Sequence, residues 1–133
     1  MKWGFTGAQR GAPEDVILEH LKTLLSTKND TVITGGCIGV DSQIFWLVHK
    51  HYPTVPQTVV IPSNYTKVDQ SILWRADRVI RMPKGTSYRD RNKRLVKESD
   101  CITAFWTGVN RSGTNMTKNI AKRAGKLRLV IKI

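Results

Sequence analysis

The segment Thr31-Val32-Ile33-Thr34, followed by Gly35-Gly36-Cys37-Ile38-Gly39-Val40-Asp41, constrains the fold of this chain more than any other stretch. The apolar β-branched run is a strand pattern, and helical spacing begins at Ile38, so the glycines mark a strand that turns directly into a helix. Such a turn leaves the first N–H groups of the helix unpaired at its positive dipole end. It also lets the backbone approach an anion such as a phosphate closely. Glycines serve equally in a plain tight turn, so Gly35, Gly36 and Gly39 stand as phosphate-binding candidates beside that structural reading.

The rest of the chain repeats the alternation of strand and helix. Strands are predicted at Lys2–Thr6, Thr31–Thr34, Thr58–Ile61, Arg78–Met82, Cys101–Trp106 and Leu127–Ile133. Helices are predicted at Pro13–Thr27, Ile38–His51, Tyr88–Ser99 and Gly113–Ala124. Pro13, Glu14 and Asp15 suit a helix start, Val16, Ile17, His20, Leu21, Leu24 and Leu25 form an apolar stripe, and Gly125 is a stop signal. Residues 62–77 show no clean period and read as a loop with one short helix. The pattern predicts the α/β class, a three-layer sandwich around a mostly parallel sheet of about five to six strands.

A length of 133 residues fits one domain, 1–133, with enough apolar residues for a core. No stretch approaches a membrane span and Met1–Gly7 is too short in apolar run for a signal peptide, so the expectation is a soluble, cytoplasmic protein with no membrane partner. Cys37 and Cys101 lack metal-ligand spacing and read as packing residues; no metal site is expected, since His49 and His51 do not share a helix face. Trp3, Trp46, Trp74 and Trp106 read as core or half-buried.

Charge is unevenly distributed. Residues 1–74 carry six basic and six acidic side chains, whereas residues 75–133 carry sixteen basic and four acidic, so the whole excess of +12 lies in the second half. That asymmetry points to an anionic partner.

In a parallel sheet, ligands bind beyond the carboxyl ends of the strands, where the winding reverses. The residues expected there are Thr6, Gly7 and Arg10 after the first strand, the glycine turn with Asp41 after the second, Arg89, Arg91 and Asn92 on the helix from Tyr88, and Trp106 with Ser112, Gly113 and Thr114. Ser112, Gly113 and Thr114 either cap the last helix or hold a second phosphate. Trp106 ends a strand at this edge, where its ring could stack on a base. Asp41 has two readings, a first-turn carboxylate favoured by the helix dipole or a ribose-binding group.

Together these motifs resemble the SLOG superfamily of Rossmann-like proteins. The superfamily includes the YspA-type proteins, the Rossmann domain of DNA-processing protein A (Smf/DprA) and the LOG phosphoribohydrolases. The resemblance spans nearly the whole chain and is nearest the YspA-type branch. It rests on Phe5-Thr6-Gly7, Gly35 to Asp41, Arg89-Asp90-Arg91-Asn92 with Ser99-Asp100, Ala104-Phe105-Trp106, and Ser112-Gly113-Thr114 with Thr117. It implies a Rossmann-like pocket whose glycine turn and Ser-Gly-Thr helix start bracket phosphates. The implied ligands are a phosphorylated nucleoside, an ADP-ribose-like molecule or a nucleic-acid strand, with no further cofactor required.

One departure bears on activity. LOG enzymes carry a glutamate in the first turns of the last helix, where it assists cleavage of an N-glycosidic bond; here that position is Thr117. A hydroxyl cannot stabilise a developing ribosyl cation as a carboxylate does, so the chain is expected to bind rather than to hydrolyse. The first reading is a nucleotide- or ADP-ribose-binding module. The second is single-stranded nucleic-acid binding by the basic half, through Lys93, Arg94, Lys118 and Lys122. A third keeps glycosidic chemistry through Asp41 or Glu98. An α/β unit with open edge strands is also expected to pair with itself.

Overall fold

The computed structural model describes residues 1–26 and 29–133. Six strands, β1 (Lys2–Gly7), β2 (Thr31–Thr34), β3 (Gln57–Ile61), β4 (Arg78–Arg81), β5 (Cys101–Trp106) and β6 (Leu127–Lys132), form one sheet in the order β4-β3-β2-β1-β5-β6. Every pairing is parallel. The helices are α1 (Glu14–Leu24), α2 (Val40–His51), α3 (Gln70–Leu73), α4 (Tyr88–Glu98) and α5 (Gly113–Arg123). The architecture is the expected Rossmann-like three-layer sandwich.

Side chains alternate across a strand, and this sheet shows the consequence directly. In β2, Val32 joins the core beneath α1 and α2 with Phe5 and Phe105, while its neighbour Ile33 faces Leu95, Val96 and Ala121 of α4 and α5. β3 behaves alike, with Val59 and Ile61 packed on Phe45 and Ile72 and Val60 on the opposite face. β6 breaks the rule once. Its pairing jumps from Ile102↔Leu127 to Thr103↔Leu129, so Arg128 is an extra residue. The bulge inverts the parity, sending Leu127 to the α4/α5 face and Ile131 to the α1/α2 face.

Most element boundaries differ from the sequence reading by a residue or more, and three helix boundaries have a clear local cause. Helix α1 ends at Leu24, because Leu25 takes an extended ψ of 129°; Thr27, placed in that helix by its spacing, lies outside the described residues. Helix α2 begins at Val40 rather than Ile38, since Gly39 at φ 98° cannot extend the helix backwards and Ile38 stands half exposed. Helix α4 stops at Glu98, with Ser99 extended. Trp74, expected at least half buried, is 87 % exposed because it follows the single turn of α3 at the β4 edge of the sheet. Trp46 is also more than a third exposed. Among the described residues no helix is long and apolar enough to cross a membrane.

Candidate nucleotide-phosphate cleft

The chain winds from β1 outward to β4, then returns to add β5 and β6 on the other side of β1. The loops after β1 and β5 therefore diverge, and a cleft of about 370 Å³ opens between them at the carboxyl ends of these strands. Thr6 and Gly7 end β1 at its wall, followed by Ala8 and Gln9. The loop after β1 is held rigidly. Gln43 on α2 donates its amide to Ala12 O at 2.7 Å and accepts from Ala12 N–H at 2.9 Å, and Val40 N–H donates to Ala8 O. Gly7 packs against Val40 so tightly that a Cβ there would come within 2.4 Å of it.

The opposite wall is the start of α5. Ser112 is its N-cap and accepts from Asn115 N–H at 3.1 Å, which places Gly113 and Thr114 in the first turn, facing the cleft. The first N–H groups of a helix have no partner within it. Arg111 and Lys67 add two exposed cations to the rim. Thr117, where a LOG enzyme carries glutamate, lines the cleft but donates its hydroxyl back to Gly113 O at 3.1 Å.

The floor holds an unusual pair of buried ionisable groups. Arg91 of α4 is 8 % exposed and Asp41 of α2 is 7 % exposed, yet they form no ion pair. Arg91 spends its guanidinium on uncharged acceptors: Nη1 donates to Gly35 O at 2.7 Å and to Val60 O at 3.4 Å, and Nε donates to Asn92 Oδ1 at 2.8 Å. Asp41 accepts from Cys37 N–H through Oδ2 at 3.2 Å, while Oδ1 is buried with no partner among the described residues. Burial pushes its carboxyl up to about 6, against the opposing pull of Arg91. The Cys37 thiol is raised too, by burial and then by Asp41, so it stays protonated and is a packing group rather than a nucleophile.

The structure thus gathers Thr6, Gly7, Asp41, Arg91, Asn92, Ser112, Gly113 and Thr114 at one cleft. Other candidates lie elsewhere. Gly35 sits behind the floor, where a Cβ would come within 2.6 Å of Arg91 Nη1, and Gly36 packs on Ile61. Gly39 lies under the Ala8 and Gln9 carbonyls. Arg10 turns to the carboxyl terminus and donates to Ile133 O. Trp106 donates its indole N–H to Val109 O at 2.9 Å, and Lys118 Nζ covers its ring at 4.2 Å. Arg89 lines a neighbouring groove.

Arg94 pairs with Glu98 at 2.8 Å, while Lys93 and Lys122 are exposed on α4 and α5. Glu98 and Asp100 lie at the far end of the sheet: Glu98 feels Lys2, and Asp100 accepts from Lys2 N–H at 2.7 Å, at the amino end of β1. Asp100 precedes its strand, which is why it cannot reach the carboxyl edge.

Lys67 had no local sequence signal. It reaches the cleft because Val68 bridges Cys37 and Ile38 N–H donates to Lys67 O. Arg111 was legible only as part of the loop before Ser112.

No family model and no curated protein matches the chain. Among solved structures, the X-ray structure of TM1055, a structural-genomics target, superposes with a TM-score of 0.69 at 20 % identity, over 96 % of this chain and 72 % of that one. DNA processing protein A from Streptococcus pneumoniae gives 0.78 at 14 % identity, covering 96 % of this chain and 49 % of its own. The Helicobacter pylori protein of that name, described for its single-stranded DNA binding mode, gives 0.74 at 17 % identity, covering all of this chain and 66 % of its own. The chain spans about half to two thirds of the two DNA-processing proteins it matches. At these identities the likeness carries the fold, and the chain has the Rossmann-like α/β fold that these proteins share.

Proposed function

We propose that the chain is a SLOG-superfamily protein of the YspA type and that the cleft between β1 and α5 holds the phosphate of a nucleotide or ADP-ribose-type ligand. The observation that carries this reading is the convergence of Lys67, Arg111 and the open first turn of α5 on one cleft at the sheet's winding reversal. A helix N-terminus with two flanking cations is a strong anion environment. Asn92 and the Asp41 carboxyl on the floor offer hydrogen-bonding groups for the rest of the nucleotide.

Native mass spectrometry of nuclease-treated protein, followed by titration calorimetry with thymidine 5′-monophosphate and ADP-ribose, tests the reading. Gly113→Leu is the blocking variant, because Gly113 lines the cleft and a Cβ there meets nothing within 4 Å, so no neighbour is displaced by it. Bound nucleotide lost in Gly113→Leu is the expected result; affinity unchanged by that variant refutes it.

A second reading makes the nucleotide unit part of a single strand. It is favoured by the likeness to the Helicobacter pylori protein described for single-stranded DNA binding, together with the basic second half of this chain.

A further inference from the structure

A hollow of about 290 Å³, sharing no residue with the cleft, is lined by Glu14 of α1 and by Ser42, Gln43, Trp46, Leu47 and Lys50 of α2. Its polar walls are already satisfied. Gln43 is bonded through its amide to the Ala12 backbone and Ser42 donates to Asp69, so the hollow offers a guest chiefly the Leu47 side chain and the Trp46 ring. The Trp46 ring stands edge-on to Phe45 at 5.2 Å and to His49 at 5.5 Å, which fixes that wall. A dry, preformed hollow suits an apolar ring, and since a cavity of about 150 Å³ already takes benzene, this one has room for an indole. Glu14 and Lys50 stand exposed at its rim.

The chain carries a knob of that kind. Trp74 is 87 % exposed, more than any other large apolar side chain described, and the guanidinium of the next residue, Arg75, makes no hydrogen bond or ion pair among the described residues. Unpartnered carboxylates are confined to one element: Glu14, Asp15 and Glu19, all on α1, accept no hydrogen bond among the described residues, whereas every other acidic side chain does. Knob and hollow lie on the same side of the sheet, since Ile72 and Leu73 of α3 pack with Phe45 of α2 on Val59 and Ile61. A two-fold axis can therefore seat each Trp74 in the hollow of a second copy, with both contacts made at once.

We propose that this α2–α3 face pairs two copies of the chain, the Trp74 indole of each protomer entering the hollow of the other and its Arg75 meeting the partner's Glu14. The indole lies against apolar surface, with a lysine ammonium at the mouth to face its ring. The pairing uses no residue of the cleft and does not depend on what binds there. Two such contacts make a small interface and the +12 charge of each copy opposes them, so the dimer is transient and dilute protein is monomeric, with Trp74 open to solvent.

Sedimentation equilibrium of nuclease-treated protein tests the pairing, over about 1 to 500 μM protein at about 0.15 M salt. The expected result is a monomer–dimer equilibrium in the micromolar range, with tryptophan emission growing less accessible to acrylamide as the concentration rises. Trp74→Ala weakens association by about tenfold or more. Glu14→Arg and Arg75→Glu each weaken it, because like charges then face each other. Mixing those two variants restores it, since both contacts of the mixed dimer then join opposite charges. Urea midpoints close to the parent's establish that the variants are folded.

Protein that stays monomeric over the whole range overturns the pairing. A dimer that Trp74→Ala leaves intact also overturns it, because the contact then lies elsewhere on the surface. Mixed variants that associate no better than either alone overturn the contact between Arg75 and Glu14, and with it the arrangement of the two copies. Growth beyond the dimer overturns the two-fold axis, since knob and hollow would then join copies head to tail.

Discussion

Replacing Asp41 by Asn is expected to stabilise the protein at neutral pH, and the gain should vanish in acid. The carboxyl is 7 % exposed, Oδ1 has no partner among the described residues, and the nearby Arg91 gives its Nη1 to Gly35 O and Val60 O instead. Its folded value of about 6 stands above the ordinary 3.8. The folded state therefore holds the proton more tightly than the unfolded chain between these values. The stabilisation from that proton is complete below the unfolded value and is lost as pH rises through the folded one.

The gap of roughly two pH units corresponds to about 3 kcal/mol carried as a penalty at pH 7. Asparagine keeps an acceptor for Cys37 N–H and removes the charge, at the cost of an amide donor that needs its own partner, worth about 1 kcal/mol or more. The expected net gain is about 1–2 kcal/mol at neutral pH, falling toward zero or below near pH 4. Urea unfolding of both proteins across that range measures it. A variant less stable than the parent at neutral pH, by an amount that shrinks only as the pH falls below about 4, would refute the reasoning, since Asp41 would then be a favourably paired anion. The same titration implies that the cleft loses a negative charge below about pH 6, so anion binding should tighten there.

Three further outcomes are expected. Gly39→Ala should cost about 2–3 kcal/mol or more, because the residue sits at φ 98° and a Cβ would come within 2.4 Å of the Ala8 and Gln9 carbonyls; a thermal midpoint equal to the parent's would contradict this. Phe105→Ala should destabilise by about 3–5 kcal/mol in chemical unfolding, since the ring is fully buried between β5 and the α1/α2 layer, and a loss below about 1 kcal/mol would show that the core refills the space. Trp74→Phe should leave stability within about 0.5 kcal/mol yet remove the most acrylamide-quenchable part of the tryptophan emission; unchanged quenching would mean that Trp74 is covered in solution.

The order of strands and helices was legible because it depends on short windows. Val59, Val60 and Ile61 announce a strand whatever surrounds them, and Ser87 with Asp90 forms the capping box that starts α4. Half of the cleft was legible for the same reason: Thr6 and Gly7 must end β1, and Ser112 to Thr114 must begin α5. The glycine turn after β2 reaches the cleft through Cys37 and Asp41. Its Gly35 and Gly39 are small so that Arg91 and the Ala8–Gln9 backbone can come close, and neither glycine lines the cleft.

The sequence by itself determined that alternating periods of two and 3.6 would wind a parallel sheet with its polar turns at one edge. Those periods are properties of neighbouring residues. Only the tertiary structure decided that Arg91 and Asp41 would share a buried floor unpaired, that Lys67 would be carried to the rim by the Cys37–Val68 bridge, and that Arg89 and Arg123 would border one groove. These pairs lie 30 to 50 positions apart along the chain. No local pattern encodes their meeting, because it follows from which side of β1 each later strand was added.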